Sequence, residues 1–320
     1  MFHSKPHINS NSELSILHKA PPHSPMKKID YSINTMHSIN ADTTEVMIEL
    51  YNNLKLELSD TYDKLGLDIE FMAIGGLLNQ TNTKNNNKID ILIINNGFFS
   101  SPSYKNNEKI FIQELVALRN FTYKHLQSLY PEAKIDDSRP LSIDFTLRPV
   151  SHNFSLYFGL WQCNTTFNPS GYFSENTSIN LLNYHTLSSI CCNPFKALKN
   201  LNNKDKITNG NTRNLIRLLK DIKIKSNTTN HLSGYKIESL VYAMSNESLM
   251  KPSDQTISLL IECSLHLKKM IDDPLHKNYI LSADGIIAFD EYENNGEIEQ
   301  IKNLKDELNS LLKNIVLNKH

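Results

Sequence analysis

The chain has 320 residues, enough for two domains or one large one. Its 33 lysines and arginines nearly balance 34 aspartates and glutamates, so bulk charge gives no attraction to nucleic acid or an anionic membrane, and any anion site must be built locally. The apolar fraction, 39%, falls in dense segments that can form a core, yet none reaches the ~20 residues that cross a bilayer, so no membrane partner is expected.

Residues 1–40 are rich in Ser, Asn, His, Pro and Lys, a composition that buries little surface, and they are expected to form a disordered leader. The N-terminus lacks the continuous apolar region of a signal peptide. The histidines His3, His7, His18, His23 and His37 lie in this leader, with nothing to hold them in metal-binding geometry. The four cysteines are Cys163, Cys191, Cys192 and Cys263. The adjacent pair suits neither a disulfide framework nor a Cys-x-x-Cys metal pair, so all four are read as buried thiols in a reducing compartment, which makes the cytoplasm the expected location. By composition the leader also looks like the secretion segments of bacterial effectors, which is the alternative.

From Asp42 the pattern changes. Met47, Leu50, Tyr51, Leu54, Leu58, Tyr62 and Leu65 recur every three or four residues, one face of a long helix that Asp42 or Thr43 can cap and Gly66 ends. "LDIEFMAI" follows as a strand broken by Gly75 and Gly76. "IDILII" is a strand apolar at almost every position, expected to be buried on both faces. Residues 107–128 read as a helix, and "LSIDFTL", 141–147, as a third strand. After about residue 180 helices take over, at roughly 194–201, 211–224, 234–244, 255–272 and 295–317, with Asn-rich loops at 202–212 and 226–231. The fold class is α+β: an α/β lobe over 41–185, with a mixed sheet and helices, then a helical lobe over 186–320. A ligand cleft is expected between them.

Two strands carry an acid amid apolar neighbours, Asp90 in "KIDIL" and Asp144 in "SIDFT". A buried carboxylate needs a partner or a cation. If the two strands lie side by side, the two acids come close together and favour a bound cation, Mg²⁺ where phosphates are also present. Gly75-Gly76, followed by Asn79, Gln80, Thr81 and Thr83, is either a tight turn or a place where a phosphate approaches backbone N–H groups. In "NTRNLIRLLKDIK", Arg213, Arg217 and Lys220 form one stripe at i, i+4 and i+7, either a solvated face or an anion site. In "HLSGYKIESLVY", Ser233 caps a helix that presents Tyr235 and buries Ile237, Leu240 and Val241.

In this order the segments resemble the template-independent nucleotidyltransferases of the polymerase-β type, closest to the oligoadenylate synthetases and bacterial cyclic-oligonucleotide synthases. Gly75-Gly76, Thr81 or Thr83, the 88–90 pair and Asp144 correspond to the family's strand–glycine–turn and three-acid pattern. Arg213, Arg217 and Lys220, then Ser233, Tyr235 and Glu238, correspond to its basic helix and the Ser-Tyr-Glu motif after it. "CNPFKALKNL" (192–201) and "MIDDPLH" (270–276) resemble its Asn-Pro and Asp-Pro segments, so the resemblance covers about residues 42–285. It implies a nucleoside triphosphate bound between the lobes and transfer of a nucleotidyl group to a hydroxyl acceptor, as in making an oligonucleotide second messenger. In that scheme Asp90 and Asp144 hold Mg²⁺ or Mn²⁺ and catalyse. Gly75, Gly76, Thr81, Arg217, Lys220 and Ser233 meet the nucleotide, and Tyr235 stacks the base. Two positions depart from the pattern: Leu77 replaces the Ser after the glycines, and Lys88 replaces the first acid of Asp-x-Asp. The alternative is therefore a pseudoenzyme acting through nucleotide binding or a protein partner, with Lys88 paired to Asp90 and Asp144. A third reading is an unrelated α/β protein matching by chance.

Overall fold

The structure is a computed structural model that describes residues 36, 39, 41–85, 88–96, 108–147, 152–162, 177–226, 232–289 and 294–317. The expected leader, its histidines and Cys163 lie outside these residues, apart from Met36 and Ile39.

Helix α1 (Ala41–Lys64) buries Met47, Leu54, Leu58 and Tyr62 as its spacing requires. Asp42 sits in its first turn rather than capping it. Strand β1 (Ile69–Ile74) leads into a one-turn helix, α2 (Gly75–Asn79), then β2 (Ile89–Asn95). Helix α3 (Glu108–Leu129) packs beside α1, and the Tyr62 and Thr122 hydroxyls bond at 2.6 Å. Four more strands follow around one long one: β3 (Lys134–Asp136), β4 (Ser142–Leu147), β5 (His152–Trp161), β6 (Ile179–Asn183) and β7 (Ser188–Cys192).

The seven strands form one mixed sheet of order β1-β2-β5-β4-β3, with β6 on the far end of β5 and β7 beyond β6. Only β2 and β5 run parallel among the described pairings. Alternation sorts the side chains. Ile89, Ile91, Ile93, Ile143, Phe145, Phe154, Leu156 and Phe158 point into a core with α1 and α3. Leu92, Ile94, Trp161, Ile179 and Leu181 form a smaller apolar cluster that includes the partly buried Tyr157 and Phe195. The polar residues of the same alternation, Asp90, Ser155 and Asp144, share that second face.

The helical region begins at α4 (Pro194–Ile207), capped by Asn193, whose side chain accepts from the Lys196 N–H. It continues through α5 (Asn211–Lys225), α6 (Gly234–Tyr242), α7 (Asn246–Leu249), α8 (Thr256–Asp272), α9 (Pro274–Lys277) and α10 (Asn294–Leu317). These helices build a core of their own. A buried ion group ties it together: Glu297 of α10 accepts from Lys277 at 2.6 Å and also pairs with Lys236 of α6. Among the described residues no helix is long and apolar enough to cross a membrane.

The structure corrects four local expectations. Strands continue to Cys192, past residue 185. Residues 202–207 are the end of α4 rather than loop, since their Asn and Lys side chains solvate a helix as readily as a coil. Cys191 is exposed on the edge strand β7, so it is not a buried thiol, whereas Cys263 is buried. Strands β2 and β4 are not side by side, because β5 lies between them.

Candidate functional site

The interposed strand makes the site. In the sheet register Asp90 is opposite Ser155, Ser155 is opposite Asp144, and Asp144 is opposite Asp136. One row across the sheet thus carries three carboxylates around a serine. The backbones of Asp90 and Asp144 are two strand spacings apart, roughly 10 Å. Their side chains converge on Lys88, whose Nζ lies 3.6 Å from Asp90 Oδ1 and 3.6 Å from Asp144 Oδ2.

Each acid has hydroxyl partners. Ser142 donates to Asp144 Oδ1 at 2.7 Å, and Ser155 donates to the same oxygen. Tyr157 donates to Asp90 Oδ1 at 3.4 Å. Arg139 Nε stands 3.7 Å from Asp136 and 4.0 Å from Asp144. Burial pushes the Asp90 carboxyl above its ordinary range, against the pull of Lys88 and Lys220. Burial and the nearby Asp90 and Asp144 hold the Tyr157 phenol well above its ordinary value. Lys223, further along α5, is pushed down by burial and then by the charges of Lys88, Lys220 and Arg139. Lys88 and Arg139 therefore stand at the acid row, and the Lys220 charge is felt at Asp90.

The glycine pair is explained by what lies over it. Gly75 has φ +61°, and a Cβ there would come within 2.6 Å of Asp90 Oδ2. A Cβ on Gly76 would collide with Asn82 Oδ1 at 1.9 Å. The glycines let the α2 turn press against the acid strand and fold back on its own loop.

The basic stripe of α5 is neither solvated nor open. Arg213, Arg217 and Lys220 are all buried. Arg213 Nε donates to the Asn79 carbonyl at 2.8 Å, and Arg217 donates to the Gln80 carbonyl at 2.8 and 3.1 Å. These carbonyls end α2, so the two guanidinium groups cap it from the other lobe. Arg217 also donates to the Met36 carbonyl at 2.8 Å. Lys220 donates to Thr81 Oγ1 at 2.8 Å and to Glu238 Oε1 at 2.6 Å. Glu238 accepts in addition from Thr81 at 2.6 Å and from Asn79 at 2.9 Å. Burial alone would raise the Glu238 carboxyl; the Lys220 charge and the three hydrogen-bond donors outweigh it and hold the group below its ordinary value.

Ser233 caps α6 by accepting from the Lys236 N–H, and Tyr235 stands partly exposed in the first turn. The structure places Asp90, Asp144, Gly75, Gly76 and Thr81 in the sheet lobe and Arg217, Lys220, Ser233 and Tyr235 in the helical lobe, with the Lys220–Thr81 bond joining the two. Sequence reasoning missed Ser142, Ser155, Tyr157, Asp136 and Arg139. For Ser155 and Tyr157 a signal existed: "FSLYF" alternates polar and apolar residues with period two.

A divalent ion held by oxygens would have to displace the Lys88 ammonium, which offers donors only and repels cations. Among the described residues no three His, Cys, Asp or Glu side chains are grouped to hold a metal ion. The residues present therefore do not fit the two-ion site that the resemblance implies.

Residues 199–313 match the model of the cGAS/DncV-like nucleotidyltransferase C-terminal helical domain. A cyclic dinucleotide synthase, CdnE, of Yersinia aleksiciae is 25% identical over 246 residues, covering 73% of this chain and 63% of the relative, so the match spans less than two thirds of the relative's length. The solved STING-associated CdnE c-di-GMP synthase of Capnocytophaga granulosa superimposes with a TM-score of 0.65 at 19% identity, covering 91% of this chain and 87% of that one. The CdnE cyclic dinucleotide synthase of Elizabethkingia meningoseptica, solved with GTP and Apcpp, gives 0.63 at 16% identity, covering 88% and 98%. The fold is that of these solved bacterial cyclic dinucleotide synthases.

Proposed function

We propose that this chain is a nucleotidyltransferase-fold protein that binds a nucleoside triphosphate where its lobes meet and is impaired in nucleotidyl transfer. The observation that carries the reading is Lys88 Nζ at 3.6 Å from both Asp90 and Asp144. A tethered ammonium pairs with both carboxylates without the open coordination positions that polarise a phosphate or activate a hydroxyl. Binding survives in this reading because the anion-facing groups remain. An ammonium has three donors, and Lys220 uses two of them on Thr81 and Glu238. The third can meet a phosphate oxygen beside the capped end of α6, whose dipole favours an anion.

A second reading is supported by the acid row itself and by the similarity to cyclic dinucleotide synthases: a working transferase that makes a cyclic dinucleotide with Asp90 and Asp144 as its catalytic acids. One assay separates the two. Each labelled nucleoside triphosphate is offered with Mg²⁺ or Mn²⁺, and pyrophosphate release is read for the wild type, Asp144→Asn and Lys88→Asp. The first reading expects no release from wild type above that of Asp144→Asn, and release from Lys88→Asp if restoring one acid is sufficient. Wild-type release that disappears in Asp144→Asn would replace it with the second.

A further inference from the structure

We propose that Asp284 is a positioning residue that fixes the Tyr235 ring as a platform for a nucleobase. The inference rests on the nucleotide-binding reading above and adds how the base end of that site is held. Asp284 is 5% exposed and lies in a turn closed by the pairing of Leu281 with Ile287, far in sequence from α6. Three parts of the fold converge on its carboxylate. The Tyr235 hydroxyl of α6 donates to Oδ1 at 3.3 Å. The Asn193 N–H, at the start of α4, donates to Oδ2 at 3.3 Å. Ser282 and the Ile286 N–H of its own turn also donate to Oδ1, the latter at 3.4 Å.

A turn-forming Asp needs only the last two of these bonds. The bonds to Tyr235 and Asn193 tie the turn to α6 and α4, and both carboxylate oxygens are thereby occupied. Asp284 is thus placed to orient Tyr235 rather than to read a ligand itself. The tyrosine is anchored at its hydroxyl while the residue as a whole stays 44% exposed. A ring held at its tip with open surface gives a base a preformed surface to stack on, with little rotamer freedom left to lose.

Its place along α6 is also apt. A Cβ on the preceding Gly234 would lie 3.3 Å from Lys220 Cε, so the Lys220 side chain passes directly beside the helix start. Lys220 of α5 thus lies against Gly234, the residue before the anchored Tyr235 ring.

The test is calorimetric titration of the full chain with ATP, GTP, CTP and UTP in turn, and with inorganic tripolyphosphate, which has no base. Tyr235→Phe and Asp284→Ala are each expected to weaken the best-bound nucleotide about three- to tenfold while tripolyphosphate affinity stays level, as loss of part of a stacking interaction would. The double variant is expected to be no worse than either single one, because both remove the same bond. Tyr235→Ala is expected to lose more. An equal fall in nucleotide and tripolyphosphate affinity, or no fall, would overturn the role of Asp284 and leave nucleotide binding standing. Absence of binding by the wild type to every nucleotide and to tripolyphosphate would overturn both.

Discussion

In the proposed function, Lys88 sets the chemistry at the scale of single residues. Its neighbour acids lie where the resemblance implies a divalent ion, and its ammonium supplies positive charge there with no coordination chemistry. Replacing it with an uncharged residue of similar length, Lys88→Met, removes the main influence that lowers the Asp90 pKa. That carboxyl is expected to titrate higher still, followed by carbon NMR of labelled aspartates. A second residue-scale prediction concerns Glu238. The Glu238→Gln exchange leaves buried Lys220 without its charge partner and is expected to cost about 3 kcal/mol in urea unfolding. The pH dependence follows the depressed carboxylate. Its contribution is present above the unfolded-chain pKa and is lost as pH falls through the lower folded value. Wild-type stability should therefore drop on acidification below about pH 4.5 by more than that of Glu238→Gln.

At the scale of elements, the α2 turn is held by parts distant in sequence. Two glycines allow its approach to β2, and Arg213 and Arg217 take its terminal carbonyls. Gly75→Ala meets both a positive φ and the Asp90 carboxylate, and a loss of about 1–3 kcal/mol is expected. Arg217→Lys keeps the charge but loses the planar fork that bonds Gln80 with two nitrogens. Faster amide exchange confined to residues 75–83 is the expected result, read by mass spectrometry; unchanged exchange there would contradict the capping role. The helices were the legible part of the fold, because apolar spacing is local. Strand β5 was not read, although its period-two pattern is visible, and the row of Asp90, Ser155 and Asp144 depends on its insertion between β2 and β4. That crossover is a long-range property no local pattern encodes. The basic stripe was legible as a stripe, yet its burial against the Asn79 and Gln80 carbonyls was not, since backbone acceptors leave no mark on side-chain sequence. Lys88 was legible as a departure, and its dual pairing followed from its position two residues before Asp90.

At the scale of the whole molecule, two cores meet across charged and polar groups. The sheet lobe supplies the acid row and the α2 turn; the helical lobe supplies Arg213, Arg217, Lys220 and Glu238. Because these groups bond each other, a ligand entering the junction works against an already satisfied network, and bound nucleotide is expected to raise the unfolding temperature of both lobes together. The most direct test of the account is electron paramagnetic resonance of Mn²⁺ titrated into the full chain, wild type and Lys88→Asp, without nucleotide. The expected result is no stoichiometric Mn²⁺ site in the wild type and one in the variant. A stoichiometric site in the wild type, abolished by Asp144→Asn, would contradict the claim that Lys88 takes the cation's place.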